Sequence, residues 1–367
     1  MIPLFSPLRQ NEPYFAEFQR QFEQVLRSGH YILGPQVTSF ETSLAESLGY
    51  RFAVGCSSGT EALILSLKAL GLSPGAQVLT PAYSFVASAS SILWAGLRPV
   101  LVDVCPETGC VTAERVEAAI TPATEAVIAV DLYGRQNDLA AIRELCRRRS
   151  LRLIEDGAQS IGVPNAGAEL YTLSFYPTKN IGAVGDAGAI LTDDETLAGT
   201  LTHLTQHGAT ARDQFERVGT NGRLDTLQAA LLGLKIPHVH TWSEDRRRLA
   251  HRYREALAPL EAQGKLKLPP LSHSESENVW SLFTLRIPEN RNGLMEALQG
   301  RGVGCGIYYL KSLNQQAALH PHLNGGKFPN AERLSQTVLS IPIYPELAPV
   351  EQQKVVDSLM ECLSGSI

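Results

Sequence analysis

The sequence predicts an α/β protein with a mainly parallel central sheet, helices on both faces of that sheet, and a smaller C-terminal α+β part. Two patterns support this fold class. Between about Arg51 and Thr192, short apolar runs alternate with helical stretches, and most of these runs are almost continuously apolar or β-branched, as in strands covered on both faces. After Thr192 the pattern becomes mostly helical. The 367 residues can hold one large and one smaller domain.

Seven strands are expected in the first part of the chain. They are Phe52–Gly55, Gln77–Pro81, Pro99–Val104, Ala126–Asp131, Leu151–Glu155, Leu170–Phe175 and Ala189–Leu191. Helical patterns separate several of them, at Glu61–Leu70, Ala87–Trp94 and Leu139–Arg148. Strands that alternate with helices in this way favour a parallel sheet.

The second part of the chain begins with a helical run at Asp225 that Pro237 interrupts. The further expected elements are a polar helix at Trp242–Leu257, a loop near Pro269–Asn278, a strand at Val279–Ile287, a helix at Arg291–Arg301 and a final helix after Pro349. We expect a large domain over residues 1–245, with the N-terminal segment, and a smaller domain over residues 246–367. This boundary is placed to within about ten residues.

Composition narrows the classes of function. Hydrophobic residues make up 44% and charged residues 19% of the chain, and the net charge of −5 does not favour nucleic-acid binding. None of the six cysteines forms a C-x-x-C pair, which suits a reducing compartment. The N-terminus does not look like a signal peptide, and no apolar stretch is long enough to cross a membrane. We therefore expect a cytoplasmic protein without a membrane partner.

A metal site is not expected. His203 and His207 have helical i, i+4 spacing, but no Glu lies between them as the zinc-protease motif requires. The pairs His238/His240 and His320/His322 have no nearby carboxylate or cysteine pattern.

A glycine-bearing turn follows the first expected strand. Ser58, Gly59 and Thr60 stand where that strand passes directly into a helix. Free N–H groups and the helix dipole make such a helix start suitable for phosphate. Simple helix capping by Ser58 or Thr60 explains the same residues equally well.

A carboxylate ends the fifth expected strand. Asp156 follows Glu155, and Gln159 comes three residues later. Ligands of open α/β sheets bind beyond the carboxyl ends of the strands. A carboxylate at this position can partner the protonated pyridine nitrogen of pyridoxal phosphate, although a capping role is the alternative.

A single lysine stands among uncharged residues after the sixth expected strand. Lys179 lies five residues beyond Ser174 in the run SFYPTKN. An amine in such surroundings can have a lowered pKa and act as a Schiff-base nucleophile. An isolated lysine is more commonly a surface residue, so the position alone does not decide its role.

Taken together, the motifs resemble those of the DegT/StrS sugar aminotransferases, which are fold-type-I enzymes dependent on pyridoxal 5'-phosphate. The resemblance extends from about Ser28 to Glu346. It is carried by YILGPQVTSFE at Tyr31, SSGTEALILSLKALGL at Ser57, EDGAQS at Glu155, SFYPTKNIGAVGDAGAI at Ser174, GTNGRLDTLQAALLGLKI at Gly219, GIYYLKSLNQQ at Gly306 and FPNAERLSQTVLSIPIYPEL at Phe328.

The resemblance implies a role for each matched residue. Lys179 corresponds to the Schiff-base lysine, Asp156 to the partner of the pyridine nitrogen, and Gln159 to the contact with the ring hydroxyl. The other cofactor contacts it implies are Ser58, Gly59, Thr60 and Ser174 at the phosphate, Phe85 over the ring, and Asn221 from the second subunit. Tyr31, Arg223 and Tyr309 correspond to residues on the substrate side. A homodimer with shared active sites is expected.

The activity that this resemblance implies is transamination of a keto sugar, nucleotide-linked in our leading hypothesis, with an amino acid donor, glutamate in the family. A cyclitol ketone aminotransferase, a sugar dehydratase of the same family and a non-catalytic homologue remain alternatives. The dehydratase branch carries His in place of the lysine, so Lys179 disfavours it. The motifs do not decide between amination at sugar C3 and C4, nor do they identify the nucleotide.

Two departures from the family pattern concern the substrate. The stretch between Gln159 and Ser174 is about six residues shorter than usual by this resemblance, which suggests a more open substrate side and weaker selectivity among keto sugars. The usual run I-H-Y-P-x-P-L-H is replaced by Ile307–Asn314, in which two His and two Pro are absent.

Overall fold

A seven-stranded sheet forms the centre of the protein. The structure is a computed structural model, and it describes residues 1–323 and 325–364. The strands of the sheet are β1 (Phe52–Cys56), β2 (Gln77–Pro81), β3 (Arg98–Val102), β4 (Thr124–Val130), β5 (Arg152–Asp156), β6 (Leu170–Ser174) and β7 (Gly188–Thr192). All seven expected strands are therefore present, each within two residues of its expected bounds.

Helices account for most of the remaining structure. They are α1 (Pro7–Asn11), α2 (Phe15–Ser28), α3 (Pro35–Leu48), α4 (Gly59–Ala69), α5 (Ala87–Trp94), α6 (Ala113–Ala119), α7 (Leu139–Arg149), α8 (Glu195–Thr205), α9 (Thr226–Gly233), α10 (Val239–Ala262), α11 (Arg291–Gly300), α12 (Pro329–Thr337) and α13 (Pro349–Ser364). Two short strand pairs complete the fold, β8 (Ala209–Ala211) with β9 (Gln214–Phe215), and β10 (Phe283–Arg286) with β11 (Val338–Ile341). Among the described residues, no helix has the length and apolar character needed to cross a membrane.

The sheet is mainly parallel, as expected. Its strand order is β1-β7-β6-β5-β4-β2-β3, and β7 alone runs opposite to the others. The carboxyl ends of the six parallel strands therefore meet at one edge, where β7 begins. Gly188, the first residue of β7, lies between Cys56 at the end of β1 and Ser174 at the end of β6.

Both faces of the sheet are buried, which explains why its strands are almost continuously apolar. Neighbouring residues of one strand point to opposite faces. Ile154 belongs to the same core as Leu63 and Leu67 of α4 on one face, whereas Leu153 belongs to the core that contains Ile142 and Leu145 of α7 on the other. A helix on each side thus covers each strand, as in doubly wound folds.

A second core lies in the C-terminal part of the chain. Helix α10 joins the two parts, because Val239 near its start belongs to the core of the sheet and Tyr253 belongs to the second core. The expected boundary at residue 245 lies inside this continuous helix, and the division into two domains stays a prediction. The last residues of the expected smaller domain, 365–367, lie outside the described residues. Ile2, which we assigned to the large domain, packs in the second core and pairs with Val303.

Candidate active site

The start of α4 lies at the edge where the parallel strands end. Ser58 is the N-cap, and its side-chain oxygen accepts a hydrogen bond from the Glu61 N–H at 3.1 Å. The first N–H groups of a helix have no partner within the helix, so those of Gly59 and Thr60 can bind an anion. Capping and anion binding are therefore compatible here rather than alternatives.

Two glycines bring this helix start close to the neighbouring strands. A Cβ at Gly59 would lie 2.6 Å from the Cβ of Ser174, and a Cβ at Gly188 would lie 2.4 Å from the Ser58 carbonyl oxygen. Because only hydrogen fits at both positions, the Ser174 hydroxyl can approach the free N–H groups of α4. The result is a small polar cradle at one end of the site, of the type that binds phosphate.

Asp156 lies at the end of β5, buried from solvent. One carboxylate oxygen accepts from the Ala158 N–H at 3.1 Å, and the other from the Ser88 hydroxyl at 3.5 Å. Burial raises the pKa of Asp156 to about 6, while the Ala158 hydrogen bond and the nearby Lys179 amine lower it. A cation placed beside this carboxylate would be strongly favoured.

Lys179 stands in the turn after β6, close enough to Asp156 for their charges to affect each other. Burial lowers the pKa of Lys179, and Asp156 opposes this change. Because the neutral amine is the nucleophile, a lowered pKa favours covalent chemistry at this nitrogen. Lys235 is also buried, with a pKa lowered to about 8 by burial, but its Nζ donates to the Gly182 carbonyl. Its amine is therefore held by backbone.

The turn that carries Lys179 is held by a residue from the N-terminus. The Gln10 amide donates to the Asn180 carbonyl at 2.9 Å, and the Gly182 N–H donates to the Gln10 side-chain oxygen at 3.4 Å. Both contacts span about 170 residues of sequence. The backbone on the C-terminal side of Lys179 is thereby fixed relative to α1.

Gln159 is oriented from two sides. Its side-chain oxygen accepts from the Tyr133 N–H at 2.6 Å, and its amide nitrogen donates to the Tyr309 hydroxyl at 3.1 Å. The Phe85 ring lies beside Tyr309, with their centroids 6.0 Å apart, and Phe85 remains exposed. The structure thus brings three of the expected site residues, Gln159, Tyr309 and Phe85, next to one another.

Sequence reasoning missed several residues that support the site. Ser88 donates to Asp156 and is hydrogen-bonded to Ser84 at 2.7 Å, while Tyr83 donates to the Tyr309 carbonyl at 2.9 Å. The position of Tyr83 and Ser84 directly after β2, and of Ser88 in the first turn of the following helix α5, was the available signal, because polar residues beyond a buried parallel strand lie at the ligand edge. Tyr133 has the same position after β4, and its hydroxyl donates to the Tyr308 carbonyl.

Asn221 and Arg223 lie side by side on the outer side of β1. The Arg223 side chain donates to the Asn221 side-chain oxygen at 2.5 Å, and Arg223 bridges to Cys56 at the end of β1. Asn221 is exposed. Tyr31 is exposed as well, and its carbonyl accepts from the Thr226 N–H at 3.2 Å. Tyr31 and Asn221 are therefore at the surface, whereas Arg223 is partly buried beside the end of β1.

The shortened stretch after Gln159 does not border the site as we expected. Asn165 in this stretch donates to the Gly49 carbonyl at 3.1 Å and to the Asp193 carboxylate at 3.2 Å. Gly49 precedes β1 and Asp193 follows β7, so this contact lies at the edge of the sheet opposite Lys179. The physical reason is the parallel connection, which must return the chain to the amino end of β6. These contacts do not test how open the substrate side is, so a more open substrate side and weaker selectivity among keto sugars stay predictions.

Within residues 1–323 and 325–364, no group of three or more His, Cys, Asp or Glu side chains is arranged to hold a metal ion. The polar groups of the site are instead an amine, a carboxylate, an amide and the N–H groups of a helix start. This donor set fits pyridoxal phosphate, which has an aldehyde, a ring nitrogen, a ring hydroxyl and a phosphate.

Comparison with solved structures supports the fold. Streptomyces venezuelae DesV superimposes with a TM-score of 0.95 at 35% identity, covering 100% of this chain and 99% of that one. NtdA from Bacillus subtilis, solved with its bound cofactor PMP, gives a TM-score of 0.94 at 33% identity, covering 99% of this chain and 85% of that one.

Comparison with known sequences shows full-length relatives. A pleiotropic regulatory protein of Geobacillus stearothermophilus is 37% identical over 98% of both chains. A dTDP-3-amino-3,4,6-trideoxy-alpha-D-glucose transaminase of Streptomyces venezuelae is 36% identical, over 98% of this chain and 96% of that protein. The family model of the DegT/DnrJ/EryC1/StrS aminotransferases matches residues 14–360. This protein belongs to the DegT/DnrJ/EryC1/StrS aminotransferase family.

Proposed function

We propose that this protein transfers an amino group from an amino acid, glutamate in our leading hypothesis, to a keto sugar carried on a nucleotide, with pyridoxal 5'-phosphate bound through Lys179. The convergence of Lys179, Asp156 and the cradle of Gly59 and Ser174 at one edge of the sheet carries this proposal. The names of aminotransferase relatives support the sugar substrate.

The residues that would hold the cofactor follow from the contacts above. The N–H groups of Gly59 and Thr60, with the Ser58 and Ser174 hydroxyls, would bind the phosphate. Phe85, whose ring neighbours Tyr309, would pack over the pyridine ring, and Gln159, which donates to Tyr309, would contact the ring hydroxyl. Asp156 places a buried negative charge where the ring nitrogen must be kept protonated.

Bound pyridoxal phosphate supplies an aldehyde that carries the amino group and a ring that accepts electrons from the adjacent carbon. Lys179 would hold this aldehyde covalently through its amine. When the amine is free, it would accept a proton from the carbon that bears the transferred nitrogen and would donate it to the aldehyde carbon of the cofactor. The lowered pKa of Lys179 increases the neutral fraction of this amine, which is the form that accepts the proton.

The substrate side of the site is rich in tyrosine. Tyr83 and Tyr133 donate to the backbone of Tyr309 and Tyr308, so these hydroxyls fix the segment that replaces the family's I-H-Y-P run. Lys311 follows on this segment and is exposed. Aromatic faces with polar tips, beside a cation, suit a sugar linked to a phosphate group.

We also propose that the active protein is a homodimer with shared sites. Phe15, Phe22 and Leu26 lie on one side of α2 and are all exposed. Exposed apolar residues at such helical spacing mark a surface that another protein covers. Because Tyr31, Asn221 and Arg223 are also exposed or partly exposed, a second copy seated here would receive their polar groups.

A regulatory role without catalysis is the second candidate, because one relative is named a pleiotropic regulatory protein. The intact Lys179, Asp156 and phosphate cradle favour catalysis. A non-catalytic protein has no need to keep an amine and a carboxylate buried together.

Replacing Lys179 with Ala should abolish the covalent attachment of the cofactor, because no other amine stands at the same place. Reduction of the holoprotein with borohydride, followed by peptide mass spectrometry, measures the adduct. The Lys311→Ala variant is the control, since this lysine is exposed, and it should keep the adduct. An adduct that survives in Lys179→Ala would refute the assignment.

Replacing Asp156 with Asn should slow transamination by about 10²-fold or more, which corresponds to about 2.7 kcal/mol of transition-state stabilisation. The amide is similar in size but cannot keep the ring nitrogen protonated. Steady-state turnover measures the change, with Asp357→Asn on the exposed side of α13 as the control. Wild-type turnover in Asp156→Asn would remove this carboxylate from the mechanism.

A screen of ketones should identify the substrate class. The aminated form of the holoenzyme is mixed with keto-sugar nucleotides, the matching sugar phosphates or a cyclitol ketone, and the return of the cofactor aldehyde is followed by absorbance. We expect the nucleotide-linked sugars to react fastest. Reaction with the cyclitol alone would replace the proposed substrate, and no reaction with any ketone would favour the regulatory role.

Mixed dimers should show whether the site is shared. A Lys179→Ala subunit and a subunit with both Asn221→Ala and Arg223→Ala should each be inactive alone. In a mixed dimer, one site carries both defects and the other carries none, so part of the activity should return. Verified mixed dimers that remain inactive, or full activity in a proven monomer, would exclude shared sites.

A further inference from the structure

Two carboxyl groups lie next to each other beneath the site, and none of the steps above uses them. In the register of the parallel pair, Glu155 of β5 stands opposite Ala129 of β4. Asp131 is two residues beyond Ala129, so its side chain points to the same face of the sheet as that of Glu155. The two carboxyl groups are within hydrogen-bonding reach of each other. Both residues are completely buried.

Asp131 is surrounded by donors. One of its oxygens accepts from the Asn137 N–H at 2.9 Å and from the Asn137 side-chain amide at 2.8 Å, and the other accepts from the Ser160 hydroxyl at 2.8 Å. Three donors to one carboxyl group stabilise its ionised form. Burial raises the pKa of Asp131, but these donors lower it and so favour Asp131 as the charged member of the pair.

Glu155 has the opposite surroundings. Its Oε1 accepts from the Gln136 amide at 3.0 Å, but its Oε2 is buried and has no donor within the part of the chain that the structure describes. Nor does any Lys, Arg or His of those residues form an ion pair with Glu155 or Asp131. A second buried negative charge at Oε2 would be uncompensated, and its desolvation would be costly. A proton on Oε2 removes this desolvation cost, because the Asp131 carboxylate can accept a hydrogen bond from it.

We propose that Glu155 keeps its proton at neutral pH and donates it to the Asp131 carboxylate, and that this acid pair is a positioning device for Gln159. Asp131 ties the loop after β4 to the turn after β5 through Ser160. The same two segments meet again where the Tyr133 N–H donates to Gln159. Since an N–H can only donate, this contact fixes the oxygen of the Gln159 amide and turns its nitrogen towards Tyr309.

The electrostatic surroundings agree with one proton on the pair. Burial and the adjacent Asp131 charge raise the pKa of Glu155 well above its usual range. The other titratable groups close enough to the pair to interact with its charges are Asp156 on β5, Tyr171 on β6, Tyr50 before β1 and Cys110 after β3. All four are neutral or negative, so none of them offers a compensating positive charge.

Infrared spectroscopy of the holoenzyme tests the proton directly. The difference spectrum between the wild type and Glu155→Gln in heavy water, at neutral pH and without substrate, should show the carbonyl band of one protonated carboxylic acid. Absence of this band in the wild type would overturn the proposal. This outcome does not depend on the proposed function, whereas the role of the pair in positioning Gln159 rests on it.

The pH dependence of stability is a second test, because a residue with only a structural role would not change this dependence. Between the usual glutamate pKa of about 4.3 and the raised value, folded Glu155 holds a proton that the unfolded chain lacks, so its contribution to stability falls as pH rises. Glu155→Gln lacks this dependence. The melting temperature of Glu155→Gln should therefore rise relative to that of the wild type as pH increases above the usual glutamate pKa. A constant difference between the two proteins would contradict the shared proton.

Turnover tests the positioning role. Gln can donate to Asp131 and accept from Gln136, so Glu155→Gln should keep turnover within about threefold of the wild type, whereas Glu155→Ala should lose about tenfold. The double variant Glu155→Ala, Gln159→Ala should be no slower than Gln159→Ala alone, because both changes act through one side chain. Additive losses would show that Glu155 does not act through Gln159.

Discussion

The close approach of α4 to the ends of β1 and β6 is the constraint on which the site depends. Gly59 and Gly188 allow it, since a Cβ at either position would overlap Ser174 or the Ser58 carbonyl. The contact sets where the free N–H groups of α4 stand relative to the turn that carries Lys179. A phosphate held at one end therefore has a defined distance to the amine at the other, and the mainly parallel sheet supplies the rigid frame between them.

Burial from water shifts the pKa values of the ionisable groups at this edge in different directions. Burial lowers the pKa of Lys179 and raises that of Asp156 to about 6, and each charge moderates the shift of the other. Asp156 has Ala158 and Ser88 as donors, whereas Glu155 beside it has a bare oxygen directed to Asp131. Neighbouring carboxyls of one strand thus have opposite protonation states, because their side chains point to opposite faces of the sheet.

The site is also tied to distant parts of the chain. Gln10 holds the backbone after Lys179, and Ile2, a few residues earlier, pairs with Val303 in the C-terminal part. The Tyr308–Tyr309 segment is in turn held by Tyr83 and Tyr133 from the loops after β2 and β4. Hydrogen bonds therefore connect the C-terminal part with the N-terminal segment and with the loops after β2 and β4.

The sequence by itself determined the fold class and the separate elements of the site. Seven apolar runs became the seven strands because burial on both faces requires apolar residues at every position, a pattern that local composition records. The placement of Asp156 and Lys179 followed too, since both come directly after such runs. Local patterns do not encode the strand order, the reversed direction of β7 or the pairing of β10 with β11, because these depend on contacts between residues far apart in the chain. Only the tertiary structure decided that the stretch after Gln159 returns to the opposite edge, that Gln10 holds the Lys179 turn, and that Glu155 faces Asp131, because each of these depends on where a side chain or loop meets a partner on another element.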